Sequence, residues 1–391
     1  METFFATCPR GLEPVLAEEL AALGAQDTRA TPGGAGFRGS FEACYRANLE
    51  SRVASRVLWR VGGARYASED DVYRAAQRLE WGRWFGPEQT LRVDLAAVRS
   101  PLRSLDFATL RIKDAVCDRL RADTGRRPDI DTARPDVRVH AFLTRDEITL
   151  YLDTSGEALF KRGLRAAAGE APLRENLAAG ILRLAGWTPG EPLLDPMCGG
   201  GTFLVEAALA SLDIAPGLGR RFGFERLRNF DGELWSRVRG AAEQRRQRPR
   251  PLPVYGSDAD PEAVAAAHAN LDAAGLSGAV NPRQADVLSV SPPASAGVLV
   301  TNPPYGKRVG DEQELAALYP RFGDLLKQRF AGWRAYVLSP NMDLPSLVRL
   351  KPSRRTPLFN GPIECRLFEF RMVEGSMKKG RDAAAPLPTS D

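Results

Sequence analysis

The apolar run 296–300 of this 391-residue chain ends in Thr301-Asn302-Pro303-Pro304-Tyr305-Gly306. A short apolar run that stops at two prolines reads as a buried strand with an abrupt carboxyl end, because neither a ladder nor a helix continues through consecutive prolines. Pro303 also pushes Asn302 out of the α region and holds it extended, with its amide and carbonyl available to a planar group. The Asn302 side-chain oxygen and the Pro303 carbonyl are two acceptors for the two protons of an exocyclic amine. Pro304 stiffens the turn and Tyr305 offers a face for a ring to stack on. These residue types suit attack by a nucleobase amine on a methyl donor. Four residues alone are equally compatible with a proline-stiffened turn, so the elements around them decide.

The second group is EPLLDPMCGGGTFLVEAALA at 191–210. It reads as a strand through Leu193 and Leu194, an acid at the strand end, a glycine turn and a helix with Thr202 as its N-cap. Gly199, Gly200 and Gly201 let the backbone take positive φ and approach a ligand closely. The pattern is neither GxGxxG nor a phosphate loop with GK[ST], which argues against a dinucleotide or a nucleoside triphosphate. Asp195 at the strand end suits the ammonium of the amino-acid end of S-adenosylmethionine. VYGSD at 254–258 then ends in a second acid, Asp258, before a helix opened by Asp260 and Pro261; a second-strand acid is placed to take ribose hydroxyls. NPRQADV at 281–287 puts a third acid, Asp286, where an adenine amine is received. Met197, Ala259 and Val287 adjoin these positions and complete the expected cofactor contacts with Asn302.

The glycine turn, two strand-end acids and the Asn-Pro-Pro motif occur in that chain order. With KRGLR (161–165), APLREN (171–176), NPPYGKRVG (302–310) and LFNGPIECRLFEF (358–370), they make residues 156–375 resemble the class I S-adenosylmethionine-dependent RNA methyltransferases of the guanine-N2, RlmL-like group. The resemblance implies a Rossmann-like doubly wound α/β sheet with the cofactor over its carboxyl edge. It places Asp195 and the glycine turn at the methionine end, Asp258 at the ribose, Asp286 near the adenine, and 302–305 at the target base. The implied substrate is a guanine of 23S rRNA. A tRNA guanine, adenine-N6 methylation and a non-catalytic RNA-binding protein remain as alternatives. Asp258 follows Asp195 by 63 residues, against the ~20 of a simple dinucleotide fold. Residues 217–253 are therefore an insertion, read as a solvated loop with a basic run from Arg245 to Arg250.

The preceding residues alternate differently. Strand 4–9, helix 11–24, strand 34–40 and a helical stretch over 41–62 make a ferredoxin-like start over 1–60. A helix at 70–84, a strand at 90–98, a helix at 109–125 and strands at 137–146 and 147–155 then resemble a THUMP domain over 61–155, an RNA-binding module of RNA-modifying enzymes. Basic residues segregate within 99–127, and Arg119, Arg121 and Arg126 are the expected RNA contacts. Residues 376–391 are polar and aperiodic, which reads as a disordered tail.

Composition narrows the chemistry further. Two histidines, His140 and His268, and five scattered cysteines without a CxxC leave little for metal hydrolysis, Ser-His chemistry or a disulfide framework. No metal is expected, and Cys198 in the glycine turn reads as a packing residue. The net charge of +5 includes none from residues 1–155, where 23 basic residues face 23 acidic ones. No apolar run approaches a membrane span and the start lacks signal-peptide character, so a cytoplasmic location is expected; the chain is also expected to be a monomer.

Overall fold

The structure is a computed structural model that describes residues 1–163, 173–304 and 311–373. The first half runs β1 (Glu2–Thr7), α1 (Glu13–Ala22), β2 (Gln26–Thr31), β3 (Gly34–Gly39), α2 (Phe41–Glu50), β4 (Arg56–Arg65), α3 (Glu69–Gln77), β5 (Leu91–Ala97), α4 (Leu105–Thr124), β6 (Val137–Leu143) and β7 (Glu147–Asp153). Its strands form one continuous sheet in the order β2-β3-β1-β4-β7-β6-β5. The ferredoxin-like and THUMP-like stretches therefore share a sheet, joined where β4 pairs with β7 from Leu58↔Asp153 to Arg65↔Glu147. Alternation decides which face is covered. Phe4, Trp59, Val139 and Leu150 point to the helices and are nearly inaccessible, whereas their neighbours along each strand are largely polar.

The second half runs α5 (Glu175–Leu184), β8 (Leu193–Asp195), α6 (Thr202–Ser211), α7 (Gly232–Arg245), β9 (Val254–Asp258), α8 (Pro261–Ala273), β10 (Arg283–Gln284), β11 (Gly297–Thr301), α9 (Asp311–Arg329), β12 (Trp333–Ser339), α10 (Leu344–Leu347), β13 (Arg354–Asn360) and β14 (Ile363–Arg371). The sheet order is β10-β9-β8-β11-β12-β14-β13, parallel from β10 to β12 and antiparallel beyond. Every residue of β11 is buried, as a central parallel strand covered on both faces requires. The strand order reverses between β8 and β11, and ligands of open α/β sheets bind at the carboxyl ends beside such a switch point.

Three local expectations need correction. The helix predicted over 41–62 ends at Glu50, and Arg56–Arg65 is the strand β4. Val57, Leu58 and Trp59 fill the slot between β1 and β7, so tertiary pairing overrides the helical spacing. Strand β2 was missed because QDTRAT is a polar edge strand with little buried surface. Thr202 is the first residue of α6, not its cap; Gly201 caps it at φ +76°, a conformation natural to glycine.

The insertion is also more than a loop. It contains α7, and its Phe224 stacks on Tyr45 of α2 with ring centroids 4.3 Å apart while Trp235 meets the same tyrosine edge-on. Arg245 pairs with Glu50 and Asp213. Nearby, Arg52 donates to the carbonyls of Leu209 and Ile214, and Arg162 reaches both Glu206 of α6 and the Arg52 carbonyl. The Arg162–Glu206 pair is buried, so loss of either partner leaves an uncompensated charge and costs about 3–5 kcal/mol.

Candidate active site

Asp195, Asp258 and Asn302 stand at or just past the carboxyl ends of β8, β9 and β11, and Asp286 follows the short strand β10. Because these strands are neighbours and parallel, four residues spread over more than a hundred positions share one sheet edge. The glycine turn fills the space above β8. Gly199 has φ +52°, and a Cβ built there meets nothing within 4 Å, so the turn leaves open room on that side.

The turn is tied down at three points. The Gly199 N–H donates to Asp258 Oδ2 at 2.9 Å, Cys198 N–H donates to the Ser257 carbonyl, and Asn270 of α8 donates its amide to the Gly200 carbonyl at 2.9 Å. Asp258 thus braces the loop with one oxygen while the other accepts from Asp260 N–H. Asn270 escaped the sequence reading, although its signal was present: it interrupts the apolar stripe of Ala267, Leu271 and Ala274, where an unsatisfied amide would be costly.

Asp195 is almost inaccessible, and burial pushes its carboxyl up to about 7 against the relief given by Thr301 and the Met197 N–H. The Thr301 hydroxyl lies beside the carboxyl without closing a regular hydrogen bond. Among the described residues no cation lies against Asp195; its charged neighbour is Asp258, which raises the pKa further. A buried carboxylate without a cationic partner is suited to a ligand ammonium. Burial likewise raises the Cys198 thiol, which keeps it protonated and inert, as a packing residue should be.

The other expected positions divide. Met197 and Asn302 are half-buried at the edge, Pro303 is buried and Pro304 exposed. Ala259 is exposed, and its carbonyl accepts from Gln284. Asp286 caps a short turn by accepting from Leu288 N–H, with Val287 buried beneath it. Tyr305 and the rest of 305–310 lie outside the described residues, as do 164–172 and the tail from 374. Arg119 and Arg121 lie in the last turns of α4, and Arg126 follows its end. Arg119 pairs with Asp123 at 2.7 Å and Arg121 with Asp118 at 3.5 Å, so much of that basic run is neutralised on its own helix.

Among the described residues, no helix is long and apolar enough to cross a membrane and no cluster of His, Cys, Asp or Glu could hold a metal ion. Comparison with known proteins agrees with the geometry. Residues 162–369 match the model of the RMKL-like methyltransferase domain, 66–153 the THUMP domain and 3–58 the RlmL ferredoxin-like domain. A Methylococcus capsulatus protein named "Ribosomal RNA large subunit methyltransferase K/L" is 42% identical over 94% of this chain; the chain spans about half of that relative, 51% of its length. The Synechocystis protein "Putative RNA methyltransferase slr0064" is 40% identical, covering 94% of this chain and 96% of its own. A solved structure titled "Crystal structure of SMU.472, a putative methyltransferase complexed with SAH" superposes with a TM-score of 0.85 at 30% identity, over 95% of this chain and 98% of that one. With sequence, domain order and overall fold in agreement, the chain belongs to the RMKL-like methyltransferase family.

Proposed function

We propose that the protein is an S-adenosylmethionine-dependent RNA methyltransferase that methylates the exocyclic N2 amine of a guanine in 23S rRNA. The observation that carries this reading is the convergence of Asp195, the braced glycine turn, Asp258 and Asn302-Pro303-Pro304 on one edge beside the switch point. Asp195 would hold the cofactor's ammonium, the glycine turn would admit its methionine end, and Asp258 would reach the ribose from the loop it braces. Asp286 and Val287 would border the adenine. S-adenosylmethionine, when bound, supplies an activated methyl group.

The chain's own part is orientation. Asn302 and the Pro303 carbonyl accept the two protons of the target amine and fix its direction, and Tyr305 stacks on the ring. Holding reactants in this way accounts for large accelerations without a general base, which agrees with a chain that carries two histidines. The choice of 23S rRNA follows the names of the relatives and the THUMP match. Guanine and adenine both present an amine to Asn302, so the product tests the substrate. Nucleoside mass spectrometry of protein-free 23S rRNA after incubation with the protein and labelled S-adenosylmethionine should show N2-methylguanosine, which disappears with Asn302→Ala. Label only in tRNA, or N6-methyladenosine as the main product, would overturn the assignment.

A further inference from the structure

The sheet of the first half is covered by helices on one face. Phe41 of α2 packs on Phe4 and Trp59, and Leu79 after α3 lies where a Cβ on Gly62 would point, all on the side of Val139 and Leu150. The residues between them face the other way, and register sets them in rows. Arg60, Tyr151, His140 and Asp94 lie side by side across β4, β7, β6 and β5. One row on, Thr149, Phe142 and Ala96 follow, with Phe142 36% exposed. Phe142 and the half-buried Tyr151 thus set two aromatic rings on adjacent strands of the uncovered face.

The charge of this face is mixed but ordered. Asp94 holds Arg138 at 3.0 Å and Arg92 at 2.7 Å, and Asp153 pairs with Arg56 and, at 4.0 Å, with Arg138. This chain of pairs runs across all four strands and fixes the arginines in place. Arg60, within the central strand β4, and Arg65, at the end of that strand across from Glu147, are exposed and make no ion pair among the described residues. The face therefore combines fixed guanidinium groups, two uncommitted positive charges and two aromatic rings on adjacent strands. Aromatic rings that accept bases, with arginines along the backbone track, are the chemistry of single-stranded RNA binding on an open sheet, while a duplex hides the base faces such rings need.

We propose that this open sheet face is a docking platform for an unpaired segment of RNA, with bases stacked on Tyr151 and Phe142 and phosphates near Arg60 and Arg65. The proposal rests on the reading of the protein as an RNA methyltransferase and moves the RNA contact from the self-neutralised helix α4 to the sheet.

The test is fluorescence anisotropy of the full chain with a labelled single-stranded 12-mer and with the same sequence in a hairpin stem. Phe142→Ala with Tyr151→Leu should weaken the single strand by roughly tenfold or more and the stem far less. Arg60→Gln with Arg65→Gln, both at exposed positions, should lower the slope of log affinity against log salt by about 1.4, at ~0.7 per phosphate. S-adenosylmethionine affinity, measured on the same preparations, should stay at the wild-type value and shows that each variant is folded. Wild-type RNA affinity in both variants overturns the platform and leaves the methyltransferase reading standing. Equal losses for strand and stem overturn it too, as does a wild type that dimerises through this face and becomes monomeric with Phe142→Ala. A wild type that binds no RNA at all removes both readings.

Discussion

Asp195→Asn separates the cost of the site from its use. The carboxyl is fully buried and its pKa is pushed from 3.8 to about 7, chiefly by burial, with Asp258 adding and Thr301 and Met197 N–H opposing. A raised carboxyl pKa means that the folded state holds the proton more tightly than the unfolded one. The group is therefore harmless below about pH 4 and destabilises the fold progressively as pH rises to about 7, by ~1.4 kcal/mol for each unit. Above about pH 7 the cost is constant at roughly 4 kcal/mol. Asparagine keeps the shape and never ionises. Urea unfolding of both proteins should find the stability difference in favour of the variant near zero at about pH 4 and growing to a few kcal/mol at about pH 8. On the proposed reading, in which the ammonium pairs with the ionised Asp195, cofactor binding should change in the opposite sense: the wild type should bind about tenfold more weakly for each pH unit below about 7, and the variant weakly throughout. A stability difference that stays flat from about pH 4 to 8 would refute the reasoning, whatever its size.

Four further variants follow from the geometry. Asp258→Ala removes the acceptor of Gly199 N–H and should weaken S-adenosylmethionine by about 1–3 kcal/mol in calorimetry, with Asn270→Ala loosening the same loop more mildly. Gly201→Ala sets a side chain at φ +76° and 3.1 Å from the Ala267 Cβ; a loss of about 1–2 kcal/mol in thermal unfolding is expected. Asn302→Ala should leave cofactor affinity near wild type while single-turnover methylation falls by ~100-fold or more.

The legible parts of the sequence were those whose physics is local. An apolar run closed by Pro303 and Pro304, a glycine turn and the Asp260-Pro261 helix start each announce an element within a few residues, and the three together locate an edge of the second sheet. What stayed hidden depends on partners far along the chain. Val57 and Val61 stand four apart, as on a helix face, and become a strand only because β1 and β7 lie on either side. Glu206, an acid within the apolar helix α6, acquires its reason from Arg162 forty-four residues earlier. Asp258 was assigned to a ligand on position alone, and its bond to Gly199 N–H gave it a second duty. Phe224 and Trp235 looked like residues of a solvated insertion until Tyr45 supplied the surface they cover.

That last contact changes what the insertion is for. Through Phe224 and Trp235 on Tyr45, and through Arg52 and Arg162 reaching toward α6, the front half of the chain is bolted to the helix that follows the glycine turn. Two parts joined in this way work like the jaws of a caliper. On the proposed reading, an RNA gripped by the front can offer the Asn302 edge only those bases that lie at one set distance along its path. Selection of a nucleotide then needs little reading of its neighbours: the span between grip and pocket does the measuring, and lengthening or shortening 217–253 would move the mark.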